Sequence, residues 1–263
     1  MLKITSLQNP KIKEVVKLRE RREREKTDLF LIEGYRELKR AIDAKRKIDL
    51  LFYCPELFLG SNENALLKES HAELIECTAD VFAKISYRDR PDGLLAVAPQ
   101  VHLKLKDLPL KKNPFFIVAE SIEKPGNLGT ILRSADAAGV HAVIVCDPTT
   151  DIHNPNVVRS SVGTLFTLPV LEASSAETFS FLKKNNISIV AATPHAKLEF
   201  TQAPLSGPVA IAVGTEQYGL SQTWMQHADI AVKIPMFGVA DSLNVASATT
   251  LMLYEVVRQR AAN

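Results

Sequence analysis

Residues 123–139 read EKPGNLGTILRSADAAG and follow the apolar run FFIVAES at 115–121. A short apolar run leading through a glycine-bearing turn into a helix-like segment is where a nucleotide-binding loop is expected. Gly126, Gly129 and Gly139 nevertheless fit neither G-x-G-x-x-G nor G-x-x-x-x-G-K-[ST]. What the segment offers is G-x-x-G, then apolar residues and Arg133. Asn127 is expected at or near the N-cap of a helix beginning around Leu128. Arg133, inside that helix, could lean back toward a loop whose free N–H groups favour an anion.

Working outward, FFIVAES, HAVIVCD, ISIVAAT, PVAIAVG and IAVKIP are short and rich in Val and Ile. They read as strands of a parallel sheet buried on both faces. LGTILRSADAAG, SAETFSFLKKN and LSQTWMQHA supply the intervening helices. Ligands of such sheets sit beyond the carboxyl ends of the strands, and those ends carry EKPGN, TPH, GTEQYG and MFGVADSLN. Gly214 and Gly219 bracket Glu216, which lets the backbone turn sharply and approach a ligand closely. Asp241 or Ser242, taken alone, would cap the following helix.

Upstream, a helical pattern from about Asn9 to Lys26 leads into DLFLIEG, YRELKRAIDAKR, IDLLFYC, ADVFAKIS and GLLAVAP. The expectation is a small α/β domain over 1–100, a linker over 101–113 and a second α/β domain over 114–263. Residues 1–26 hold nine Lys or Arg against four Glu, a net of +5 in a chain whose total is +2. That segment can neutralise phosphates, with Lys11, Lys17, Arg21 and Arg22 as candidate phosphate contacts. The competing reading is a solvated helix whose Glu and Arg pair with each other.

The remaining composition excludes more than it selects. A chain of 263 residues, 46% hydrophobic and 24% charged, is that of a globular protein. No run of about 18 apolar residues is present and the first residues have no apolar signal core, so the expected location is the cytoplasm, away from membranes. Cys54, Cys77 and Cys146 are odd in number and widely spaced, which points to small buried residues and away from a disulfide framework or a metal site.

PGNLGTILRSADAAG, VGTEQYGLS and IPMFGVADSLNVASA, in that order and spacing, resemble the three motifs of the SpoU family of RNA ribose methyltransferases. The N-terminal half resembles the substrate-binding domain of the members that modify ribosomal RNA. The resemblance implies transfer of a methyl group from S-adenosylmethionine to a ribose 2′-oxygen. It also implies a SPOUT-type α/β sheet with a deep trefoil knot, and a homodimer with the active site near the subunit interface. By motif position it implies catalytic roles for Asn127, Arg133, Glu216, Ser242 and Asn244. Cofactor contacts fall to Thr193, Gly214, Gly219, Ile234, Met236 and Leu243. NPNVVRSSVG at 154–163 resembles a segment near the RNA-facing side, which adds Arg159 to the RNA contacts. Ribosomal RNA of the large subunit is the expected substrate, with transfer RNA the alternative and no DNA expected. A non-catalytic RNA-binding protein would have lost the motif side chains, all five of which are present. A dinucleotide oxidoreductase would need the glycine that is missing here.

Overall fold

The computed structural model describes residues 2–108 and 110–262. The chain forms two compact units: the chain up to Val101 together with His153–Thr167, and His102–Ile152 together with the chain from Leu168 onward.

The first unit contains β1 (Leu2–Ile4), α1 (Pro10–Lys17), α2 (Arg21–Thr27), β2 (Leu29–Glu33), α3 (Tyr35–Asp43), β3 (Leu50–Tyr53), α4 (Glu63–Glu69), β4 (Glu73–Cys77), α5 (Ala79–Ile85) and β5 (Leu94–Pro99). Its sheet runs β1-β4-β3-β5-β2, and β5 is antiparallel to both of its neighbours. The basic segment is two helices, not one. Leu18 ends α1 and the chain turns before Arg21, which Arg24 secures from inside by donating to the carbonyls of Leu18 and Arg19. Arg24 is 1% exposed, and Arg19 donates to the carbonyls of Lys84 and Ser86. Two of the nine basic groups therefore serve the fold. Ile12, Val15 and Leu18 are buried in the core of this unit, so the segment is integral to it.

A later helix, Pro155–Ser160, completes this unit. The Phe30 ring lies 4.7 Å from His153 and 6.1 Å from Phe166, and Arg40 donates to the carbonyl of Val162. Gly163, at φ 81°, brings the backbone so close to α3 that an added Cβ would lie 3.0 Å from Glu37 Cα. Residues 153–167 thus leave the continuous 114–263 domain expected from sequence.

The second unit contains β6 (Phe115–Glu120), α6 (Pro125–Ala137), β7 (Ala142–Cys146), β8 (Val170–Ala173), α8 (Ser175–Lys184), β9 (Ser188–Ala192), β10 (Leu198–Glu199), β11 (Val209–Val213), α9 (Gln222–His227), β12 (Ile230–Lys233) and α10 (Val245–Ala261); the helix Pro155–Ser160 is α7 in chain order. The sheet order is β10-β12-β9-β11-β6-β7-β8, and every neighbouring pair is parallel. All five expected strands form, because their Val and Ile side chains are buried on both faces. β10 escapes the pattern, being two residues long, and β8 offers only Val170 and Leu171 before Glu172. Leu103, Leu105 and Leu108, in the stretch expected as a linker, pack against the core of this unit. Trp224 is fully buried, with its ring 4.3 Å from Phe179 and its Nε1 donating to Ser175 Oγ at 2.8 Å. The cysteines are free and buried, and burial pushes the thiols of Cys77 and Cys146 up to about 12.

Candidate active site

Beyond the carboxyl ends of the adjacent strands β12, β9 and β11 lies a cavity of about 380 Å³. Thr193, Gly214, Gly219, Ile234, Met236 and Leu243 all line it, as do Glu216 and Ser242. Asn127, Arg133 and Asn244 do not. The walls mix apolar side chains with a few polar groups, the usual character of a small-molecule site. Among the described residues no group of His, Cys, Asp or Glu is placed to hold a metal ion.

Gly214 sets the shape of the cavity. A Cβ at this position would lie 2.1 Å from the carbonyl carbon and oxygen of Gly219 and 2.3 Å from the Leu220 nitrogen. The tight loop is closed by a bridge in which the Thr215 N–H donates to the Gly219 carbonyl at 2.9 Å and the Gly219 N–H to the Thr215 carbonyl at 3.1 Å. Only glycine permits this approach.

From that loop Glu216 reaches the start of α6. Its Oε2 accepts the Glu123 N–H at 3.0 Å, and its Oε1 accepts the Lys124 N–H at 3.0 Å and Asn127 Nδ2 at 2.7 Å. Partial burial works against ionisation, yet the bonds from Asn127 and the two backbone groups outweigh it. The carboxyl is held below its ordinary value.

Two expectations change. α6 begins at Pro125, with Lys124 in the N-cap position, so Asn127 lies inside the first turn. Proline at the first helical position starts the helix early. The anion at the N–H groups beside this turn is the protein's own Glu216, so they are not open to a phosphate.

Asn127 passes the contact on. Its Oδ1 accepts Asn244 Nδ2 at 3.1 Å, while Asn244 Oδ1 caps α10 by accepting from Ala246 and Ser247. The cap of α10 is therefore Asn244, not Asp241 or Ser242, both of which are exposed. About two turns further along, Ser134 and Thr250 join α6 to α10 at 2.7 Å.

Arg133 is exposed and makes no hydrogen bond or ion pair with another described residue. It lies about 9 Å along the helix from Asn127 and about two thirds of a turn around it. Glu216 thus holds Asn127 and the backbone and does not hold Arg133. Of the other expected contacts, Lys11 pairs with Glu73 at 3.2 Å and Arg21 with Glu25 at 2.7 Å. Lys17 and Arg22 are exposed. Arg159 is exposed on α7 and donates to Asn156 Oδ1 at 2.9 Å.

Sequence reasoning missed Glu120. Buried at the end of β6, it accepts the Ser221 N–H at 2.8 Å and so fixes the start of α9 beside the cavity. The available signal was an acidic residue closing an otherwise apolar strand. Asp241, Met225, Val245 and Ala248 also line the cavity, and His195 stands at it too.

A parallel sheet with an organic-ligand cavity at its carboxyl edge defines an α/β enzyme scaffold. The family model described as SpoU rRNA Methylase matches residues 114–254, and that of an MRM3-like substrate binding domain matches residues 9–96. The 23S rRNA (uridine(2479)-2'-O)-methyltransferase of Streptomyces viridochromogenes is 31% identical over 91% of this chain and 86% of its own length. The Bacillus subtilis (strain 168) 23S rRNA (guanosine(2553)-2'-O)-methyltransferase RlmP is 28% identical over 97% of this chain and 99% of its own. Among solved structures, an RNA 2'-O ribose methyltransferase is 42% identical, with a TM-score of 0.88 over 99% of this chain and 100% of that one. The SpoU methyltransferase AviRb from S. viridochromogenes, in complex with AdoMet, is 30% identical, with a TM-score of 0.90 over 97% and 100%. The chain belongs to the SpoU rRNA methylase family.

Proposed function

We propose that this protein transfers the methyl group of S-adenosylmethionine to a ribose 2′-hydroxyl in large-subunit ribosomal RNA. The observation that carries the reading is the cavity at 214–219, lined by the motif residues and clamped to α6 through Glu216 and Asn127. The relatives described above, named as 23S rRNA 2'-O-methyltransferases, set the substrate class.

The cavity suits the cofactor in size and in chemistry. The Gly214 backbone, Thr193 and Ser242 offer polar contacts, and Ile234, Met236 and Leu243 form apolar walls. When bound, S-adenosylmethionine supplies a methyl group already activated as a sulfonium, so alignment is the protein's main task. Glu216 is ionised and takes three N–H donors, which makes it a poor proton acceptor; its work is to fix the loop against α6. Asn127 and Asn244 extend that brace to α10. A guanidinium stays protonated in proteins and does not act as a base at neutral pH. Arg133 instead grips the phosphate beside the target ribose through its planar fork and lowers the energy of the developing alkoxide.

The first unit selects a folded RNA element by phosphate contacts and shape. The enzyme works as a homodimer in the cytoplasm, with its C-terminal part threaded into the family's trefoil knot. In support of the dimer, Phe237, Val239, Leu251 and Tyr254 are 96%, 104%, 43% and 50% exposed, an apolar group that suits a second copy. Among the described residues no helix is long and apolar enough to cross a membrane.

The test is transfer of radiolabelled methyl from S-adenosylmethionine to unmodified RNA, comparing wild type with Arg133→Ala. Label is expected on one ribose of large-subunit RNA and is lost in the variant. Label confined to transfer RNA would redirect the substrate, and no labelled RNA at all would remove the catalytic reading.

A further inference from the structure

A second set of contacts, all within the first unit, lies outside the cavity. Tyr87 stands in the loop between α5 and β5, and it is held at both ends. Its N–H donates to Glu33 Oε2 at 2.7 Å, and its hydroxyl oxygen accepts Asn156 Nδ2 at 3.0 Å. Asn156 Oδ1 in turn accepts Arg159 at 2.9 Å. The loop beneath is also fixed. Ser86 Oγ donates to Glu33 Oε1 at 2.5 Å, and Arg88 Nη2 binds the Glu33 carbonyl at 2.7 Å and Glu37 Oε1 at 2.8 Å. With both ends tied, Tyr87 as a residue is still 39% exposed.

The charges around it are not self-neutralised. Arg159 and Arg90 are exposed, and neither forms an ion pair with another described residue. Of the acidic groups nearby, Glu37 is engaged by Arg88, and Asp92 accepts the Tyr35 N–H. Asp89 is the one exposed carboxylate at the loop tip.

A pre-fixed aromatic face loses little entropy on binding. Every nucleobase can stack on it, and a guanidinium beside it suits a phosphate. The Tyr87 hydroxyl accepts from Asn156 and keeps its own proton for donation. Bases inside an RNA helix are stacked and out of reach, so the occupant is an unpaired one. We infer that Tyr87, Asn156 and Arg159 form a platform for one unpaired nucleotide of the RNA substrate, with Tyr87 stacking on the base and Arg159 holding a flanking phosphate. The inference rests on the RNA reading above and adds to it a recognition point in the first unit, next to Ser86, whose carbonyl accepts Arg19 from the turn between α1 and α2.

The experiment uses the full chain and unmodified large-subunit ribosomal RNA carrying 4-thiouridine. Affinity, salt dependence and photo-crosslinks are compared for wild type, Tyr87→Ala, Tyr87→Phe and Arg159→Gln, with an S-adenosylmethionine isotherm for each. The expected results are a crosslink at Tyr87 and RNA affinity lower by about tenfold in Tyr87→Ala and largely restored in Tyr87→Phe. Arg159→Gln is expected to lower the salt slope by about 0.7, one single-strand phosphate. Cofactor affinity stays the same throughout. If Tyr87→Ala misfolds, the Phe and Gln variants carry the comparison. RNA affinities within about twofold of wild type for all three variants, with crosslinks elsewhere, would overturn the platform and leave the methyltransferase reading standing. A wild-type protein that neither binds nor methylates RNA would overturn both.

Discussion

Replacing Gly214 by alanine tests the cavity with a single methyl group. The new Cβ would sit 2.1 Å from Gly219 and 2.3 Å from Leu220, in each case against backbone. Ordinary carbon contacts begin near about 3.5 Å, so the loop has to move by more than about 1 Å. That movement strains the two bridging bonds of 2.9 and 3.1 Å between Thr215 and Gly219. Two such bonds are worth about 1–3 kcal/mol together, and overpacking adds about 1–3 kcal/mol. The expected loss is about 2–6 kcal/mol, divided between folding and cofactor binding according to how far the loop relaxes. If about 2 kcal/mol of it falls on binding, the Kd for S-adenosylmethionine rises roughly 30-fold. Denaturant unfolding gives the first share and a calorimetric isotherm the second. A variant matching wild type in both would refute the reasoning, because it would mean that the close approach does not shape the site.

Four further outcomes are expected. Asn127→Asp sets a second carboxylate against Glu216, where Asn127 Nδ2 now lies at 2.7 Å; kcat/KM should fall at least about tenfold at neutral pH and recover in part on acidification. Glu216 has a depressed pKa, so its stabilisation is present above the ordinary carboxylate range and is lost as pH falls through its lowered value; Glu216→Gln should therefore flatten the acid limb of a Tm-against-pH profile, and an unchanged limb would contradict the clamp. Arg133→Lys keeps the charge and loses the fork, so turnover should drop about 10- to 100-fold with cofactor affinity intact, whereas near wild-type turnover would dismiss the bidentate grip. Leu251→Glu, which charges the exposed face of α10, should convert a dimer into monomers by light scattering; a monomeric wild type would remove the dimer from the proposal.

The strands of the second unit were legible because a strand buried on both faces writes itself as a run of Val and Ile, as in β6, β7 and β11. The loops that line the cavity were legible as departures from that pattern at the strand ends, while the individual lining residues were picked out by the motif resemblance. Asn127 was misplaced by its local context. A cap is a local inference, and the carboxylate that serves this turn comes from Glu216, 89 positions downstream of Asn127. The single basic helix failed for a similar reason. Charge periodicity continues through 18–20, but the buried Arg24 takes the carbonyls of Leu18 and Arg19 and fixes a turn there. β1, α4 and β4 carry too few periodic residues to stand out, and β1 is defined only by its pairing with β4.

The placement of residues 153–167 has a consequence for how such proteins can diversify. The match to the SpoU model runs unbroken from 114 to 254, yet fifteen residues within it, 153–167, complete the fold of the first unit. The first unit is therefore discontinuous in the gene, and no single cut yields it whole. Fusing residues 1–101 to another catalytic half would leave Phe30 without His153 and Phe166 unless the recipient brings a matching segment of its own. Exchange of N-terminal halves is thereby restricted to partners whose α7 segments are interchangeable, and residues 1–101 and 153–167 must drift together.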